Sequence, residues 1–274
     1  MHWWGRGCIV GLFGVATFTA CSTEQLTQSA PTPVQLYAEV TSAPPTASAS
    51  AWERVAAGLE FRAVRLAQNE HTGTFSTIRI DPERYHIRVA YDRQDPGTVR
   101  QWVDAVKPMA LINGGYFDAN YRATALVIFN GIVQGTSYDG FGGMVVVNPQ
   151  GKFELRSLRQ QPYDADERLQ QAMQSTPMLI QPGGTVSELQ ADQDRSRRTV
   201  IARDRTGRIL LMVDDQLTFT LPELGPALKQ SDLDLDAALN LDGGRSSGMY
   251  LDRPGNPLLI EAFDKLPLVL VVDK

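Results

Sequence analysis

Cysteine is scarce in this chain, and its two cysteines restrict the redox and metal chemistry that we expect. Cys8 lies inside an apolar run at the N-terminus, so no cysteine pair is left for a disulfide in a mature domain. The three histidines lack neighbouring cysteine or glutamate at the spacing of zinc ligands. We therefore predict no disulfide, no zinc site and no cofactor, while a role for a divalent metal ion stays open.

An excess of basic residues and a membrane-spanning hydrophobic run are also missing. The formal net charge is -5, and it becomes more negative when residues 1–20, which contain Arg6 and no acidic residue, are removed. Proteins that bind nucleic acid present a basic surface, so we do not expect nucleic acid as a partner.

The first 21 residues have the pattern of a bacterial export signal. Arg6 is followed by the apolar "CIVGLFGVATFTA", which is too short to span a bilayer comfortably. The small residues Thr19 and Ala20 precede Cys21, as in a lipobox, whose cysteine receives lipid. We predict a lipoprotein signal peptide over 1–20 and lipidation of Cys21, with a plain signal peptide or an uncleaved anchor as alternatives. The protein is then exported and anchored to the cell envelope, at the outer membrane if there are two membranes.

The segment 21–50 differs in composition from the rest of the chain. It is rich in Ser, Thr, Ala and Pro, as in "SAPTPV" and "TSAPPTASASA", with few residues able to form a core. We predict a disordered tether over 21–50 and one folded domain over 51–274.

Strand patterns dominate the predicted domain. "GLEFRAVRLA", "FSTIRIDP" and "YHIRVAYD" alternate apolar and polar residues, and "PLVLVVDK" predicts a closing strand. Hairpins are predicted at Asn130–Gly131 and at Thr206–Gly207. Helices are predicted for "PGTVRQWVDAVKP", with Thr98 as its cap, for "DADERLQQAMQ", and for "LPELGPALKQSDLDLDAAL" with a break. The pattern favours an α+β fold with a mainly antiparallel sheet and a few packed helices.

Two segments share a local pattern, "ALINGGYFD" (110–118) and "ALNLDGGRSS" (238–247). Each runs from apolar residues through Asn or Asp into Gly-Gly and then polar groups. Glycine pairs let a ligand approach backbone N–H groups closely. A tight turn is the alternative for either segment alone.

These segments, with "TPMLIQPGG" (176–184) and "RRT" (197–199), resemble the motifs of the phosphodiester glycosidase family, and they occur in the order that the family has. The family includes the lysosomal uncovering enzyme, which removes N-acetylglucosamine from a phosphodiester on mannose. The motifs span most of residues 52–274. One departure is Arg245, where many relatives have a third glycine, and it adds a charge at the expected pocket.

The resemblance implies an exported hydrolase that cleaves the glycosidic bond of a sugar-1-phosphodiester in envelope or extracellular glycans, with Asp242 and Asp118 as the catalytic carboxylates. Arg198 is expected to grip the phosphate with its planar guanidinium. Glycine amides, hydroxyls and Asn113 are expected to bind phosphate or sugar. The expected substrate-binding residues are Asn113, Gly114, Gly115, Arg198, Thr199, Gly243, Gly244, Arg245, Ser246 and Ser247.

Structural alternatives exist for these residues. Asp118 and Asn113 can cap turns, and Arg198 lies in the basic run "RSRR", which is typical of a solvated surface. Tyr116 and Phe117 are more typical of buried aromatic packing than of sugar stacking. The whole domain can also be a non-catalytic surface module that binds sugar-phosphate polymers or an envelope partner.

Overall fold

The computed structural model describes residues 51–274. The predicted signal peptide (1–20), the predicted lipidation site Cys21 and the predicted tether (21–50) lie outside the described residues. Within the described part of the chain, neither helix has the length and apolar character needed to cross a membrane.

The described residues form eighteen β-strands and two short α-helices. In chain order the strands are β1 (Glu53–Ala56), β2 (Leu59–Gln68), β3 (His71–Ile80), β4 (His86–Tyr91), β5 (Ala110–Asn113), β6 (Val127–Phe129), β7 (Ile132–Gln134), β8 (Gly143–Val147), β9 (Phe153–Ser157), β10 (Gln171–Ser175), β11 (Met178–Gln181), β12 (Thr185–Val186), β13 (Ser196–Asp204), β14 (Ile209–Phe219), β15 (Leu235–Asn240), β16 (Met249–Leu251), β17 (Leu258–Ile260) and β18 (Leu268–Asp273). The helices are α1 (Val99–Val106) and α2 (Leu221–Lys229), and a single 3-10 turn spans Gly244–Ser246.

The strands form three antiparallel sheets. The largest has eight strands in the order β1-β2-β3-β14-β13-β15-β11-β12. A second sheet has the order β7-β6-β10-β8-β9, and a third has the order β17-β16-β5-β18-β4. The strands β5 and β15, which lead into the two Gly-Gly segments, therefore belong to different sheets.

The main hydrophobic core lies where the three sheets meet. It contains buried residues from each sheet, such as Ile201, Val145 and Ile112. The opposite face of the eight-stranded sheet is covered by α2 through Leu224 and Leu228. Burial of these apolar side chains is the main stabilising contribution and fixes the sheets against one another.

The prediction of an α+β fold is wrong, because the described chain is essentially all-β. Strands make up 46% of it and helices 9%. The two α-helices have only eight and nine residues, and they pack on the outside of sheets. Two of the three predicted helical segments account for the error.

The segment "DADERLQQAMQ" ends in strand β10 instead of a helix. Its Gln, Ala and Met residues favour helices, but Ala172 and Met173 each lie in register with both β6 and β8. The glutamines are also satisfied in the strand, since Gln171 Oε1 accepts from Val89 N–H at 3.2 Å and Gln174 Oε1 accepts from Tyr138 N–H at 2.8 Å. Pairing on both sides therefore overrides local propensity.

The segment "LPELGPALKQSDLDLDAAL" forms a helix only in its first half. Helix α2 ends at Lys229, and the chain then enters β15. This strand pairs with β13 on one side and with β11 on the other. In "DLDLD" (232–236) the first three residues lie in the connection before the strand, with Asp234 at a φ of 48°, and only Leu235 and Asp236 belong to β15.

The other local predictions are confirmed. Helix α1 begins after Thr98, whose side chain accepts from Gln101 N–H at 3.2 Å, while Gln101 Oε1 accepts from Thr98 N–H at 2.9 Å. Asn130 and Gly131 both have positive φ, 51° and 76°, as a two-residue type I′ hairpin turn requires. Strands β13 and β14 form the predicted hairpin around Thr206–Gly207.

The capping box of α1 gives the first testable prediction. Thr98→Ala removes the side-chain acceptor for Gln101 N–H, so the free energy of unfolding should fall by about 1 kcal/mol. Urea unfolding followed by circular dichroism measures the change. Thr136→Ala, at an exposed loop position, is the matched control and should leave stability within about 0.5 kcal/mol. Equal stability of Thr98→Ala and wild type would show that the cap does not contribute.

Candidate functional site

The two Gly-Gly segments meet at the junction of two sheets. Strand β5 ends at Asn113 and strand β15 ends at Asn240. Just beyond these ends, Asp242 N–H donates to the carbonyl oxygen of Gly114 at 3.1 Å. The start of β13 lies beside them, since Leu241 N–H donates to Thr199 O at 2.9 Å. The structure therefore brings together segments that are far apart in sequence.

The side-chain amide of Asn113 holds this junction. It is 1% exposed, and its Nδ2 donates to Asp242 O at 2.7 Å. Its Oδ1 accepts from Thr199 Oγ1 at 2.9 Å and from Gly248 N–H at 3.0 Å. Because donor and acceptor are both used inside the protein, this side chain positions the backbone of Asp242 instead of facing solvent.

Two hydroxyl groups extend the same buried network. Thr199 Oγ1 lies 3.0 Å from Ser247 Oγ, and both residues are fully buried. Ser246 is also buried, and its side chain hydrogen-bonds the Asp242 carboxylate. Of the three predicted hydroxyl donors, Ser246 is thus the one in contact with a candidate catalytic group.

The Asp242 carboxyl is half-buried, and its protonation is set mainly by desolvation. Burial raises its pKa from 3.8 to about 6, while hydrogen bonds from the Ser246 side chain and Gly243 N–H oppose the shift. The negative charge of Asp264 makes a smaller contribution to the same raised value. The group is therefore mostly ionised at neutral pH, yet it can take up a proton within the range where a general base works well.

Tyr116 and Asn240 are site residues that we did not predict. Asn240 is 1% exposed, and its Nδ2 donates to Tyr116 Oη at 2.8 Å and to Thr176 O at 3.0 Å. Burial and the charge of Asp242 raise the pKa of Tyr116 to about 12, so the hydroxyl stays protonated. Both residues belong to the Gly-Gly segments, "NGGYFD" and "NLDGG", and that position was the available signal.

Arg198 is another predicted site residue, and it is 6% exposed. Its Nε donates to Phe219 O at 2.9 Å, and its Nη2 donates to Asp194 O at 2.6 Å. Burial lowers its pKa, and the negative charges of Asp192, Asp194 and Asp214 oppose the shift. Within residues 51–274 no carboxylate lies within ion-pair distance of this guanidinium.

The first glycine pair is used for close packing. Gly114 N–H donates to Leu268 O at 2.9 Å, and Gly115 N–H lies 3.0 Å from Met173 Sδ. A Cβ atom at Gly114 would lie 2.6 Å from Leu268 Cγ, and one at Gly115 would lie 2.7 Å from Gln174 O. These amides therefore serve the fold in this structure.

In the second glycine pair, Gly243 contacts the Asp242 carboxylate. Gly243 N–H hydrogen-bonds Asp242, and a Cβ atom at Gly243 would lie 2.8 Å from Arg197 O. Gly244 has a φ of 58° and open space where a Cβ atom would be. Substitution at Gly244 would thus strain the backbone that starts the 3-10 turn.

Asp118 and Arg245 lie outside the buried network. Asp118 is exposed, and its Oδ1 accepts from Asn120 N–H at 2.8 Å and from Arg122 N–H at 2.9 Å, which lowers its pKa. These are the contacts of a turn cap. The exposed Arg245 guanidinium instead pairs with Asp264 at 2.9 Å. No hydrogen bond in the described part of the chain joins Asp118 to the Asp242 network.

Among residues 51–274, His, Cys, Asp and Glu side chains form no group of three that could hold a metal ion.

The raised pKa of Asp242 gives a stability prediction with a defined sign. The folded state binds the proton more tightly than the unfolded state, whose pKa is near 3.8. This contribution to stability is complete below about pH 4 and is lost as the pH rises through about 6. Because asparagine cannot ionise, Asp242→Asn should gain stability relative to wild type between pH 4 and pH 7, as measured by urea unfolding.

Asp118→Asn is the control, because its contribution to stability should depend on pH in the opposite direction. The pKa of Asp118 is lowered in the folded state, so its contribution is present above the unfolded pKa and is lost as the pH falls. Parallel pH profiles for wild type and Asp242→Asn would contradict the burial-induced shift.

Comparison with known proteins identifies the family of this chain. The family model described as phosphodiester glycosidase matches residues 107–272. The catalytic domain of zebrafish N-acetylglucosamine-1-phosphodiester alpha-N-acetylglucosaminidase, auto-inhibited by its pro-peptide, has a similar fold, with a TM-score of 0.63 and 18% identity over 82% of this chain and 87% of that chain. A hypothetical protein from Synechocystis has a TM-score of 0.59 and 15% identity over 78% of this chain and 62% of its own.

At these identities the structural likenesses show the fold alone. No curated protein sequence matches the chain. The family model, however, covers more than half of the chain, and the chain therefore belongs to the phosphodiester glycosidase family.

Proposed function

We propose that this protein hydrolyses the glycosidic bond of a sugar-1-phosphodiester. The observation that carries the proposal is the Asp242 carboxyl, half-buried and with a pKa of about 6, beside a protonated Tyr116 hydroxyl. The unpaired Arg198 guanidinium near Tyr116 supplies the positive charge that a phosphodiester needs. Family membership supports the same reaction class.

The proposed reaction breaks the bond between the anomeric carbon and the phosphate oxygen. The bonding electrons leave with the phosphate, and water supplies a hydroxyl to the anomeric carbon and a proton to the site. Asp242 either removes that proton from water or attacks the anomeric carbon itself before water releases the sugar. The products are the free sugar and a phosphomonoester of the second alcohol.

The departing phosphate explains why one carboxylate suffices. A phosphate group is a better leaving group than a sugar hydroxyl, so strong general-acid assistance is unnecessary. We assign the Tyr116 hydroxyl and the Arg198 guanidinium to the phosphate oxygens, as a neutral donor and a cation. Asn240 orients the Tyr116 hydroxyl through its 2.8 Å hydrogen bond. In this assignment Asp118 is a turn residue with no part in the chemistry.

A pair of matched variants tests this assignment. Asp242→Asn keeps the size of the side chain and removes its charge, so turnover should fall at least about 100-fold. Asp118→Asn should keep most of the wild-type turnover because the carboxylate is exposed in a turn. The substrate is the methyl diester of N-acetylglucosamine 1-phosphate, and the measurement is released N-acetylglucosamine. For the wild type, kcat/KM should also rise as Asp242 ionises around pH 6.

Near-normal turnover of Asp242→Asn would show that Asp242 is not the catalytic carboxylate. A large loss of turnover in Asp118→Asn alone would assign that role to Asp118. If the wild-type protein releases no sugar from any sugar-1-phosphodiester and instead retains sugar-phosphate polymers, the non-catalytic binding module replaces the enzyme.

We also propose that the protein is exported and lipid-anchored, which would place the site next to envelope or extracellular glycans. The proposal rests on "FTAC" after the apolar N-terminal run. Cys21→Ala should leave the precursor unprocessed or move the protein from the membrane fraction to the soluble fraction, as seen by fractionation and immunoblotting. Cys8→Ala is the matched control and should change neither. Unchanged processing and partition of Cys21→Ala would reject lipidation.

A further inference from the structure

The loop that follows β17 folds back onto the turn that follows Asp242. In this loop, residues 261–264, the N–H groups of Phe263 and Asp264 donate to Arg245 O at 2.7 and 3.2 Å. Arg245 belongs to the 3-10 turn, and the next residue, Ser246, hydrogen-bonds the Asp242 carboxylate through its side chain. The loop is therefore one residue removed from a group that contacts the candidate catalytic carboxyl.

An ion pair forms a second contact between the loop and the turn. Arg245 Nε and Nη2 each lie 2.9 Å from Asp264 Oδ1, and the two side chains are 69% and 40% exposed. An ion pair as exposed as this one adds little to stability, because water screens the attraction. Its two charges can still act on an ionisable group nearby.

The loop has anchors that do not involve this ion pair. The Glu261 carboxylate accepts from Val99 N–H at 3.1 Å and from Arg100 N–H at 3.2 Å, at the start of α1. Arg197 Nη2 donates to Glu261 O at 3.1 Å, and the same guanidinium lies 4.5 Å from the centre of the Phe263 ring. Replacing either side chain of the ion pair should therefore leave the loop in place.

The elements around Asp242 contribute different groups. The turn contributes hydrogen bonds from Gly243 N–H and the Ser246 side chain, which favour the ionised carboxyl. The segment after β5 contributes the Tyr116 hydroxyl, which stays protonated. The loop contributes Asp264, whose negative charge disfavours the ionised carboxyl.

Arg245 offsets this unfavourable charge. Its guanidinium lies against the Asp264 carboxylate, and two opposite charges at nearly the same place largely cancel at a third group. Without Arg245, the Asp264 carboxylate would act on Asp242 at full strength. Without Asp264, the cation of Arg245 would act alone and in the opposite direction.

We infer that Arg245 and Asp264 are positioning residues for the proposed hydrolysis. Their ion pair joins the 261–264 loop to the turn while it presents nearly zero net charge to Asp242, so the carboxyl can work in its ionised form. The inference rests on the proposed function for the role of that carboxyl. The charge balance itself does not depend on catalysis.

A set of four proteins tests the charge balance without catalysis. They are the wild type, Arg245→Gln, Asp264→Asn and the double variant, and the measurement is the titration midpoint of the Asp242 carboxyl by carbon-13 NMR, with Asp242→Asn to assign the signal. The midpoint should rise by about half a pH unit in Arg245→Gln, fall by about half a pH unit in Asp264→Asn, and return near the wild-type value in the double variant. Arg245→Lys keeps the charge and should restore the midpoint.

Arg84→Gln is the matched control for this titration. It removes the cation of another exposed ion pair, which Arg84 forms with Asp81 at 3.2 Å between β3 and β4. This variant should leave the midpoint of Asp242 unchanged. No shift in either single variant of the Arg245–Asp264 pair, or shifts in the same direction, would overturn the inference.

Kinetics connect the charge balance to the proposed reaction. With the methyl diester of N-acetylglucosamine 1-phosphate, kcat/KM at pH 5 should fall about threefold in Arg245→Gln and rise about threefold in Asp264→Asn, because half a pH unit changes the ionised fraction of Asp242 by that factor. At pH 8, where Asp242 is ionised in each variant, both values should stay within about twofold of wild type. An equal loss at both pH values in Arg245→Gln would show that the guanidinium binds the substrate, and the positioning role would be rejected.

The two measurements separate this inference from the proposed function. If no diester is cleaved but the midpoints shift in opposite directions, the charge balance stands and the hydrolase proposal fails. If the diester is cleaved at a rate that depends on Asp242 but the midpoints do not shift, the positioning role is rejected and the hydrolase proposal stands.

Discussion

The hydrogen bonds of the Asn113 side chain are the constraint on which the rest of the site depends. They link the end of β5, in one sheet, to Asp242 and Thr199, which belong to or follow strands of another sheet. A buried amide is suited to this task because it carries a donor and an acceptor on one rigid plane. Loss of either function would leave buried polar groups unsatisfied, which is costly in a water-free interior. The position of the Asp242 carboxyl thus follows from how two sheets are joined.

Desolvation then shifts the pKa of each ionisable group at this junction. It raises the pKa of Asp242 to about 6 and that of Tyr116 to about 12, and it lowers the pKa of Arg198. In each case burial disfavours the charged form. The result is a carboxyl with a pKa near neutral pH, a hydroxyl that stays protonated and a cation, Arg198, whose Nε and Nη2 donate to backbone carbonyl oxygens. Asp118, with the same side chain in an exposed turn, shows the opposite shift.

The same contrast explains which predictions from the sequence succeeded. The Asn130–Gly131 turn and the Thr98 cap depend on residues within four positions of one another, so local chemistry determines them. Strand β10 depends on partners in β6 and β8, and its helix-favouring residues gave no sign of them. The error in fold class has this origin, since long-range pairing made strands of segments whose local preference was helical.

The sequence by itself determined the family, through its ordered motifs. It also indicated that the two Gly-Gly segments belong to the candidate site. It indicated Asp242 and Arg198 as candidate site residues as well. Only the tertiary structure showed that Asp242 is half-buried while Asp118 is exposed, and only the structure joined Asn240 to Tyr116. The physical reason is that a carboxyl acquires its pKa from burial and from neighbours distant in sequence, and Asn113 and Asp242 are 129 positions apart. Such contacts exist only once the sheets have packed.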